Sequence, residues 1–285
     1  MTARILDGRT IAREIVDGIR AEVRTIVEAG HPRPTIAVVR VGADAASVRY
    51  ASQIERAFVG AGMGFRMEVL PETIDDSTLA SVLATLGADG SVNAILLQFP
   101  LPPHLSRERA VEAIEPIKDV DGVTPLNAGR LFAGRGRYYA PATPLGGLEL
   151  LRRSGIPLAG QHAVVVGRSE IVGRPLAMLL LQENATVTIC HSRTRELASY
   201  TRQADILAVA VGQPGLITGD MVASGAVVLD FGMNVVDGKL LGDVDFDSVA
   251  AVAGAISPVP GGTGPMTNAM LLSNTLTAAK WQARI

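Results

Sequence analysis

The sequence contains a single cysteine, Cys190, among its 285 residues. One cysteine excludes a disulfide within the chain and a metal site built from several thiolates. The chain also lacks an apolar run of the roughly 18 residues that a membrane-spanning helix requires. Its first residues mix charged and apolar side chains, so the apolar core of a signal peptide is missing. From these absences we expect a protein of the reducing cytoplasm with no membrane segment.

A strong excess of either charge is missing too. The net charge of −2 gives no electrostatic reason to expect nucleic acid or an anionic membrane as a partner. We also expect no metal site, because the histidines show no ligand spacing with one another or with paired acids. They are His31, His104, His162 and His191. Hydrophobic residues, in contrast, make up 48% of the chain, and 285 residues suffice for a large core and two domains.

Predicted strands and helices alternate along most of the chain. Apolar residues spaced by four from Ile11 to Val27 predict an amphipathic helix over residues 8–28. Short apolar runs predict strands over residues 35–41, 65–70, 92–99, 164–166, 186–190, 205–211 and 226–231. Helical patterns separate them at residues 45–61, 76–86, 107–117, 145–154, 176–182 and 196–204, and a last helix is predicted at 266–281. Such alternation is typical of α/β folds, in which helices cover both faces of a parallel sheet.

Two further local predictions concern the middle of the chain. Residues 127–139 are rich in Gly and Arg and predict a connection without regular structure. Thr143 followed by Pro144 predicts an N-cap with proline at the first helical position.

The segment from Val164 to Pro175, VVVGRSEIVGRP, carries the strongest functional signal. Three valines predict a buried strand, and Gly167 allows a tight turn at its end. Gly173 would lie in the first turn of a helix. A strand, a glycine turn and a helix N-terminus form a cradle for a diphosphate, because free N–H groups and the positive helix end face the anion. The pattern G-x-S-x-x-x-G is weaker than G-x-G-x-x-G, so a strand–turn–helix without ligand stays an alternative.

The next strand indicates which dinucleotide would bind. Sites selective for NAD place an Asp or Glu about 20 residues beyond the glycine turn, where it binds the ribose hydroxyls. Here the strand ends in CHSRT, residues 190–194, which contains no acid. Ser192 and Arg193 offer a hydroxyl and a cation, and Arg168 adds a cation at the cradle. We therefore favour NADP over NAD, the alternative being that Arg193 and Arg195 are solvated loop charges.

Many ordered motifs make the chain resemble the methylenetetrahydrofolate dehydrogenase/methenyltetrahydrofolate cyclohydrolase family over essentially its whole length. They are Val41-Gly42, Ala46-Ser47 with Tyr50, Leu97 to Pro102, Lys118 to Gly122, Asn127 to Arg130, Thr143-Pro144, Val164 to Pro175, Val211 to Pro214, Gly242 to Val244 and Pro258 to Thr267. The resemblance implies two α/β domains flanking a cleft, the second a Rossmann-type doubly wound parallel sheet. It implies a folate-binding domain of residues 1–142, completed by the C-terminal helix 266–285, and an NADP-binding domain of residues 143–265. It also implies a homodimer.

The resemblance further implies roles for individual residues. Tyr50 matches a tyrosine that stacks on the folate ring system, and Gln98 matches an active-site glutamine. Asp121 matches the carboxylate that binds the pterin amino group and the adjacent N–H, while Pro260 and Gly261 would line the folate pocket. The residues implied to bind NADP are Gly167, Arg168, Ser169, Ile171, Gly173, Ser192, Arg193, Gly212, Gly232 and Met233. The alternatives are a core aromatic for Tyr50, a capping amide for Gln98 and a solvated turn acid for Asp121.

One catalytic position departs from the family pattern. The family has a lysine four residues after the tyrosine, and this chain has Ile54 there. Transfer of a hydride from a methylene-folate carbon to nicotinamide formally needs positioning but no side-chain base. Hydrolysis of the methenyl product needs an activated water, and a base contributes typically about 10²–10⁴-fold. Since neither Gln53 nor Arg56 replaces the lysine, we predict that the dehydrogenase is retained and the cyclohydrolase is lost or very weak.

Three other functions stay open. The chain could be an intact bifunctional enzyme that uses another residue for hydrolysis. It could be a repurposed NADP enzyme of one-carbon metabolism that acts on a related folate or imine. It could also be a folate- and NADP-binding protein without catalysis, since fold alone does not determine function.

Overall fold

The computed structural model describes residues 3–283, which form two compact units. One comprises the chain up to Arg13 together with Pro141–Ala269, and the other comprises Glu14–Ala140 together with the chain from Met270 onward. We name them the six-stranded unit and the three-stranded unit after their main sheets. Across residues 3–283, no helix combines the length and the apolar character needed to cross a bilayer.

Helices and strands alternate along the described chain. The first part holds β1 (Arg4–Ile5), α1 (Gly8–Glu28), β2 (Thr35–Val41), α2 (Ala45–Gly60), β3 (Gly64–Leu70), α3 (Asp76–Ala88), β4 (Ala94–Leu97), α4 (Arg107–Glu112) and α5 (Pro125–Ala133). The second part holds α6 (Ala142–Arg153), β5 (His162–Val166), α7 (Gly173–Gln182), β6 (Thr186–Cys190), α8 (Leu197–Thr201), β7 (Ile206–Val209), β8 (Val227–Asp230), β9 (Asn234–Val236), β10 (Lys239–Leu241), α9 (Phe246–Ala250), β11 (Ala255–Ile256) and α10 (Thr263–Ala283). The alternation predicted from apolar periodicity is confirmed.

The three-stranded unit is built on the parallel sheet β3-β2-β4. The central strand β2 is an apolar, largely β-branched run, and its residues 36–39 are fully buried. Helix α3 contributes Leu79 and Leu83, both fully buried, to the same core cluster as Val39. Each such leucine stabilises the fold by about 1.5–3 kcal/mol relative to an exposed position. The apolar pattern therefore determines which helix face meets the sheet.

All strands of the main sheet in the six-stranded unit are parallel, in the order β1-β11-β8-β7-β5-β6. Val164 and Val165 of β5 are fully buried, as expected for a strand covered on both faces. Strand β6 lies on one side of β5 and β7 on the other, so the strand order reverses at β5. Ligands of such sheets bind outside the carboxyl ends of the strands at this reversal.

The prediction of an irregular connection over residues 127–139 is wrong in its first half. Helix α5 occupies Pro125–Ala133 and ends at Gly134, whose φ of 62° lies in the left-handed region. Thr124 caps the helix, because its Oγ1 accepts a hydrogen bond from Asn127 N at 3.4 Å. The Thr-Pro pair at its start is the same signal that the sequence analysis used at residue 143, but the glycines and arginines that follow obscured it.

The N-cap prediction at Thr143 is also wrong. Helix α6 begins at Ala142, so Thr143 lies inside the helix. The N-cap residue is Pro141, which makes no side-chain capping bond. The Thr143 hydroxyl instead pairs with Thr267 Oγ1 at 3.2 Å, which joins α6 to the start of α10. A long-range partner for the hydroxyl therefore overrides the local capping pattern.

We expect Leu83→Ala to destabilise the three-stranded unit by about 2–5 kcal/mol, because it leaves a cavity beneath β2. Trp281 is the only tryptophan in the sequence and belongs to this unit, so its fluorescence reports unfolding of the unit in urea. The control is Val59→Ala on α2, where the side chain is 63% exposed and the change should stay within about 0.5 kcal/mol. Equal urea midpoints for the Leu83 variant and the wild type would contradict the assigned core.

Candidate active site

Gly167 and Gly173 bring the end of β5 and the start of α7 into direct backbone contact. A Cβ on Gly173 would lie 2.2 Å from Gly167 O, and a Cβ on Gly167 would lie 2.3 Å from Ala210 O, just after β7. Gly167 also has a φ of 133°, which side chains rarely adopt. Both positions therefore require glycine, and the strand, turn and helix predicted for a diphosphate cradle are present.

Ser169 caps helix α7 from within this turn. Its Oγ accepts hydrogen bonds from Val172 N at 3.2 Å and Gly173 N at 3.3 Å. A hydroxyl has one proton to donate in addition to its acceptor lone pairs, and this proton cannot point at the two N–H donors. Ser169 can therefore cap the helix and donate to an anion at the helix N-terminus. The sequence resemblance implies only the second of these roles.

A compact turn follows β6, where an acid that binds ribose would lie. His191 N donates to Thr194 Oγ1 at 2.9 Å, and Arg193 N donates to His191 Nδ1 at 3.1 Å. The side chains of Ser192 and Arg193 are exposed. Because residues 190–194 include no acid, the turn offers a hydroxyl and a guanidinium to a ligand.

The sheet topology brings all ten predicted cofactor residues to one edge. They follow β5, β6, β7 and β8, four neighbouring parallel strands, at their carboxyl ends. Among them Ile171 is 41% exposed and Met233 is 70% exposed, which leaves apolar surface at this edge. The turn after β7 is held by Asp243, whose Oδ2 accepts from Val211 N at 2.7 Å and Gly212 N at 2.9 Å. The sequence pattern assigns no individual role to this aspartate.

Pro260 and Gly261 lie in the same unit, in the turn between β11 and α10. The Val259–Pro260 peptide bond is cis, and Gly261 has a φ of 115°. A Cβ at Gly261 would lie 3.1 Å from Arg9 Nε. The turn therefore follows another parallel strand of the sheet at its carboxyl end, where glycine permits close approach.

Gln98 follows β4 in the three-stranded unit and is 5% exposed. Its Nε2 donates to Ser47 O on α2 at 3.0 Å, which fixes the orientation of the amide. Its Oε1 is buried and has no hydrogen-bond partner among the described residues. A buried acceptor left without a donor costs about 1–3 kcal/mol, so this oxygen marks a place where a ligand donor fits.

Tyr50 on α2 and Asp121 in the turn after residue 119 interact electrostatically within the same unit. Burial raises the pKa of the Tyr50 phenol above its usual value, and the negative charge of Asp121 raises this pKa further. Tyr50 therefore stays a neutral phenol at neutral pH. A neutral aromatic ring beside a carboxylate can stack on a heterocycle whose paired N–H donors the carboxylate binds.

The loop that carries Asp121 is held by Asp119, which is 1% exposed. Asp119 accepts hydrogen bonds from Val123 N at 3.1 Å, Thr124 N at 2.8 Å, Thr124 Oγ1 at 2.6 Å and Asn127 Nδ2 at 2.8 Å. The sequence alone does not reveal this role, although the motif KDVDG contains both acids. The role of Asp119 depends on burial of the turn, because a buried turn needs acceptors for its N–H groups. The sequence does not show that burial.

Ile54 is fully buried on the stripe of α2 that also holds Ala51 and Phe58. Gln53 and Arg56, the neighbours that the sequence analysis rejected as substitutes, are both exposed. The position that holds lysine in the family pattern is therefore an apolar core position in this chain.

Lysine is scarce in the whole sequence, which contains only Lys118, Lys239 and Lys280. Lys118 Nζ donates to Leu86 O at 3.0 Å and to Asp89 O at 2.7 Å, and burial lowers its pKa. Lys280 pairs with Glu22, and Lys239 belongs to the six-stranded unit. Within the described part of the three-stranded unit, both lysines are thus held by other groups.

Two family models match the chain. The model described as the catalytic domain of tetrahydrofolate dehydrogenase/cyclohydrolase matches residues 6–121, and the model described as its NAD(P)-binding domain matches residues 141–283. The bifunctional protein FolD of Roseiflexus sp. (strain RS-1) is 53% identical over 283 residues, covering 99% of this chain and 98% of that protein. The FolD of Chloroflexus aurantiacus is 51% identical, covering 98% of each chain.

Solved structures of the same family also match essentially the whole chain. The crystal structure of the bifunctional enzyme FolD from Campylobacter jejuni has a TM-score of 0.97 at 41% identity, covering 99% of this chain and 100% of that chain. The Trypanosoma brucei methylenetetrahydrofolate dehydrogenase-cyclohydrolase, solved with NADP cofactor and inhibitor, has a TM-score of 0.95 at 36% identity, covering 100% of each chain. These full-length matches agree with the close backbone contact at Gly167 and Gly173 and with the acid-free turn after β6. The chain therefore belongs to the tetrahydrofolate dehydrogenase/cyclohydrolase family.

Proposed function

We propose that this protein oxidises 5,10-methylenetetrahydrofolate to 5,10-methenyltetrahydrofolate with NADP. The observation that carries the proposal is the diphosphate cradle at the carboxyl edge of the six-stranded sheet. Gly167 and Gly173 allow close backbone contact there, Ser169 caps helix α7, and the turn after β6 contains no acid. NADP, when bound, accepts the hydride from the methylene carbon. The full-length match to bifunctional folate enzymes supports the folate as the substrate.

The chain's own residues would bind and orient the reactants. The two oxygens of the Asp121 carboxylate suit two parallel N–H donors of a pterin, and the Tyr50 ring suits stacking on it. Gln98 Oε1, buried and without a partner in the described chain, can accept a hydrogen bond from the folate or from a water beside it. Positioning of this kind is sufficient for hydride transfer, because the ring nitrogens stabilise the cationic product.

Selectivity for NADP would come from Ser192 and Arg193. We expect Arg193→Ala to raise the KM for NADP by about 10- to 100-fold, because a charge-assisted hydrogen bond to the 2′-phosphate is lost. The KM for NAD should change less than about twofold, because NAD lacks that phosphate. Arg195→Ala is the matched control, and it should leave both constants near the wild-type values. Equal activity of the wild type with NAD and NADP would contradict the assignment.

Two observations favour different conclusions about hydrolysis of the methenyl product. The apolar, fully buried Ile54 supports the prediction of a lost or very weak cyclohydrolase. The names of the curated relatives do not support that loss, because proteins 48–53% identical are called bifunctional. The second candidate function is therefore a bifunctional enzyme that activates water through another group.

The two candidates differ in the decay of methenyl-folate absorbance with purified wild-type protein. If Ile54 is the cause of weak hydrolysis, Ile54→Lys should accelerate the enzyme-dependent decay of methenyl-folate by about 10²–10⁴-fold. Ile54→Met is the matched control, because it keeps a long apolar side chain and should leave hydrolysis unchanged. Rapid decay with the wild type would instead assign hydrolysis to another residue and make the protein bifunctional.

We also propose that the enzyme works in the cytoplasm as a homodimer, as the resemblance and the single cysteine suggest. The β9–β10 hairpin exposes Val235 to 75% and Leu241 to 42%, which gives a candidate apolar contact surface. Sedimentation velocity should give about twice the chain mass of 29.8 kDa, and Val235→Glu should shift the protein toward monomer. A monomeric wild type would contradict the proposal.

A further inference from the structure

The turn after β7 uses its backbone N–H groups internally. Val211 N and Gly212 N donate to the same atom, Asp243 Oδ2, at 2.7 Å and 2.9 Å. Gly212 has a φ of 67°, so the chain turns sharply at this point. Asp243 lies more than 30 residues further along and is fully buried. Because both N–H groups bind the carboxylate, the backbone groups that Val211 and Gly212 can present to a ligand are their carbonyl acceptors.

The second oxygen of Asp243 connects this turn to the segment after β8. Asp243 Oδ1 accepts from Asn234 Nδ2 at 2.9 Å, and Asn234 Nδ2 also donates to Leu241 O at 3.3 Å. Asn234 directly follows Gly232 and Met233, two of the proposed cofactor residues. One carboxylate therefore joins two neighbouring segments of the cofactor edge.

Asp230, the last residue of β8, holds the backbone of Asp243 in place. Its Oδ1 accepts from Gly232 N at 2.7 Å and Asp243 N at 3.0 Å, and its Oδ2 accepts from Val244 N at 3.0 Å. Burial raises the pKa of Asp230 to about 6, partly opposed by these three bonds. A Cβ on Gly232 would lie 2.2 Å from Asp243 N, so this close approach of the two segments requires glycine at position 232.

We propose that Asp243 is a positioning residue for the dinucleotide: through Val211, Gly212 and Asn234 it sets the shape of the surface after β7 and β8 that receives the cofactor. The inference rests on the proposed function, because Gly212, Gly232 and Met233 are cofactor residues only if NADP binds at this edge. It assigns a role to a side chain that acts through the backbone of its neighbours. The groups that it positions would accept hydrogen bonds from donors of the cofactor, such as ribose hydroxyls or a carboxamide NH₂.

The test is Asp243→Asn in the full-length enzyme. One atom of the new amide must be NH₂, which faces either the two N–H donors of the turn or the amide of Asn234. We expect the Kd for NADP, measured by calorimetry, and the KM for NADP to rise by about 10-fold or more. The KM for methylene-folate should stay within about twofold. A parallel rise in both KM values would show a general structural defect and overturn the proposal.

A double variant that exchanges the side chains at positions 234 and 243 tests whether NADP affinity can be restored. Asn234→Asp alone sets a second carboxylate against Asp243 and should also weaken NADP binding. In the double variant Asn234→Asp with Asp243→Asn, the new NH₂ faces a carboxylate while the amide oxygen accepts from the turn, so most of the affinity should return. Absence of any recovery would overturn the proposal.

Asp205→Asn is the matched control. Asp205 Oδ2 also accepts a backbone hydrogen bond, from His162 N at 2.8 Å, but at the amino edge of the same sheet. The NADP affinity of the Asp205→Asn variant should equal that of the wild type.

Should Asp243→Asn fail to fold, Asn234→Ala leaves Asp243 itself intact, removes the amide that donates to its Oδ1 and to Leu241 O, and should still raise the Kd several-fold. An unchanged Kd in the folded variants would overturn the inference. A wild type that binds no NADP would instead refute the proposed function.

Discussion

Both candidate sites depend on buried aspartates that accept hydrogen bonds from backbone N–H groups of turns. Asp119 accepts from Val123 N and Thr124 N in the three-stranded unit, and Asp243 accepts from Val211 N and Gly212 N after β7 in the six-stranded unit. A strand that ends in a buried turn leaves such groups without a sheet partner, and each would cost about 1–3 kcal/mol if it stayed unpaired. The aspartates remove this cost and hold the turns in one conformation.

This constraint separates the residues that would touch ligands from those that set their positions. Asp121 is partly exposed, whereas Asp119, two residues earlier, is buried and holds the loop. In the other unit Gly212 is exposed while Asp243 is buried. An exposed group supported by a buried carboxylate gives a site that is shaped before its ligand arrives, which reduces the ordering that binding requires.

Ile54 is an apolar residue at the position where the family pattern has a lysine. Ile54 completes the buried stripe of α2, which favours stability of the helix packing. In the same unit, Gln98 Oε1 is a buried acceptor that has no partner in the described chain. A buried acceptor without a partner is expected where a ligand supplies the missing donor.

Much of the fold was predictable because its signals are local and periodic. The strand Thr35–Val41 and the helix Gly8–Glu28 have the predicted bounds, since a β-branched run and a repeat of four each determine one element. The helix Pro125–Ala133 was missed because glycines and arginines outweighed its Thr-Pro start, and Thr143 failed as a cap because its hydroxyl has a distant partner. Strand β1 was missed because two residues form a strand only when β11 is beside them.

By itself, the sequence determined the alternation of strands and helices, the glycine turn after β5 and the absence of an acid after β6, because each depends on neighbouring residues. Only the tertiary structure decided that Ile54 is a core residue, that Gln98 keeps one buried oxygen without a partner among residues 3–283, and that Asp243 holds a turn more than 30 residues away. The physical reason is that burial and hydrogen-bond satisfaction depend on which distant segments pack together.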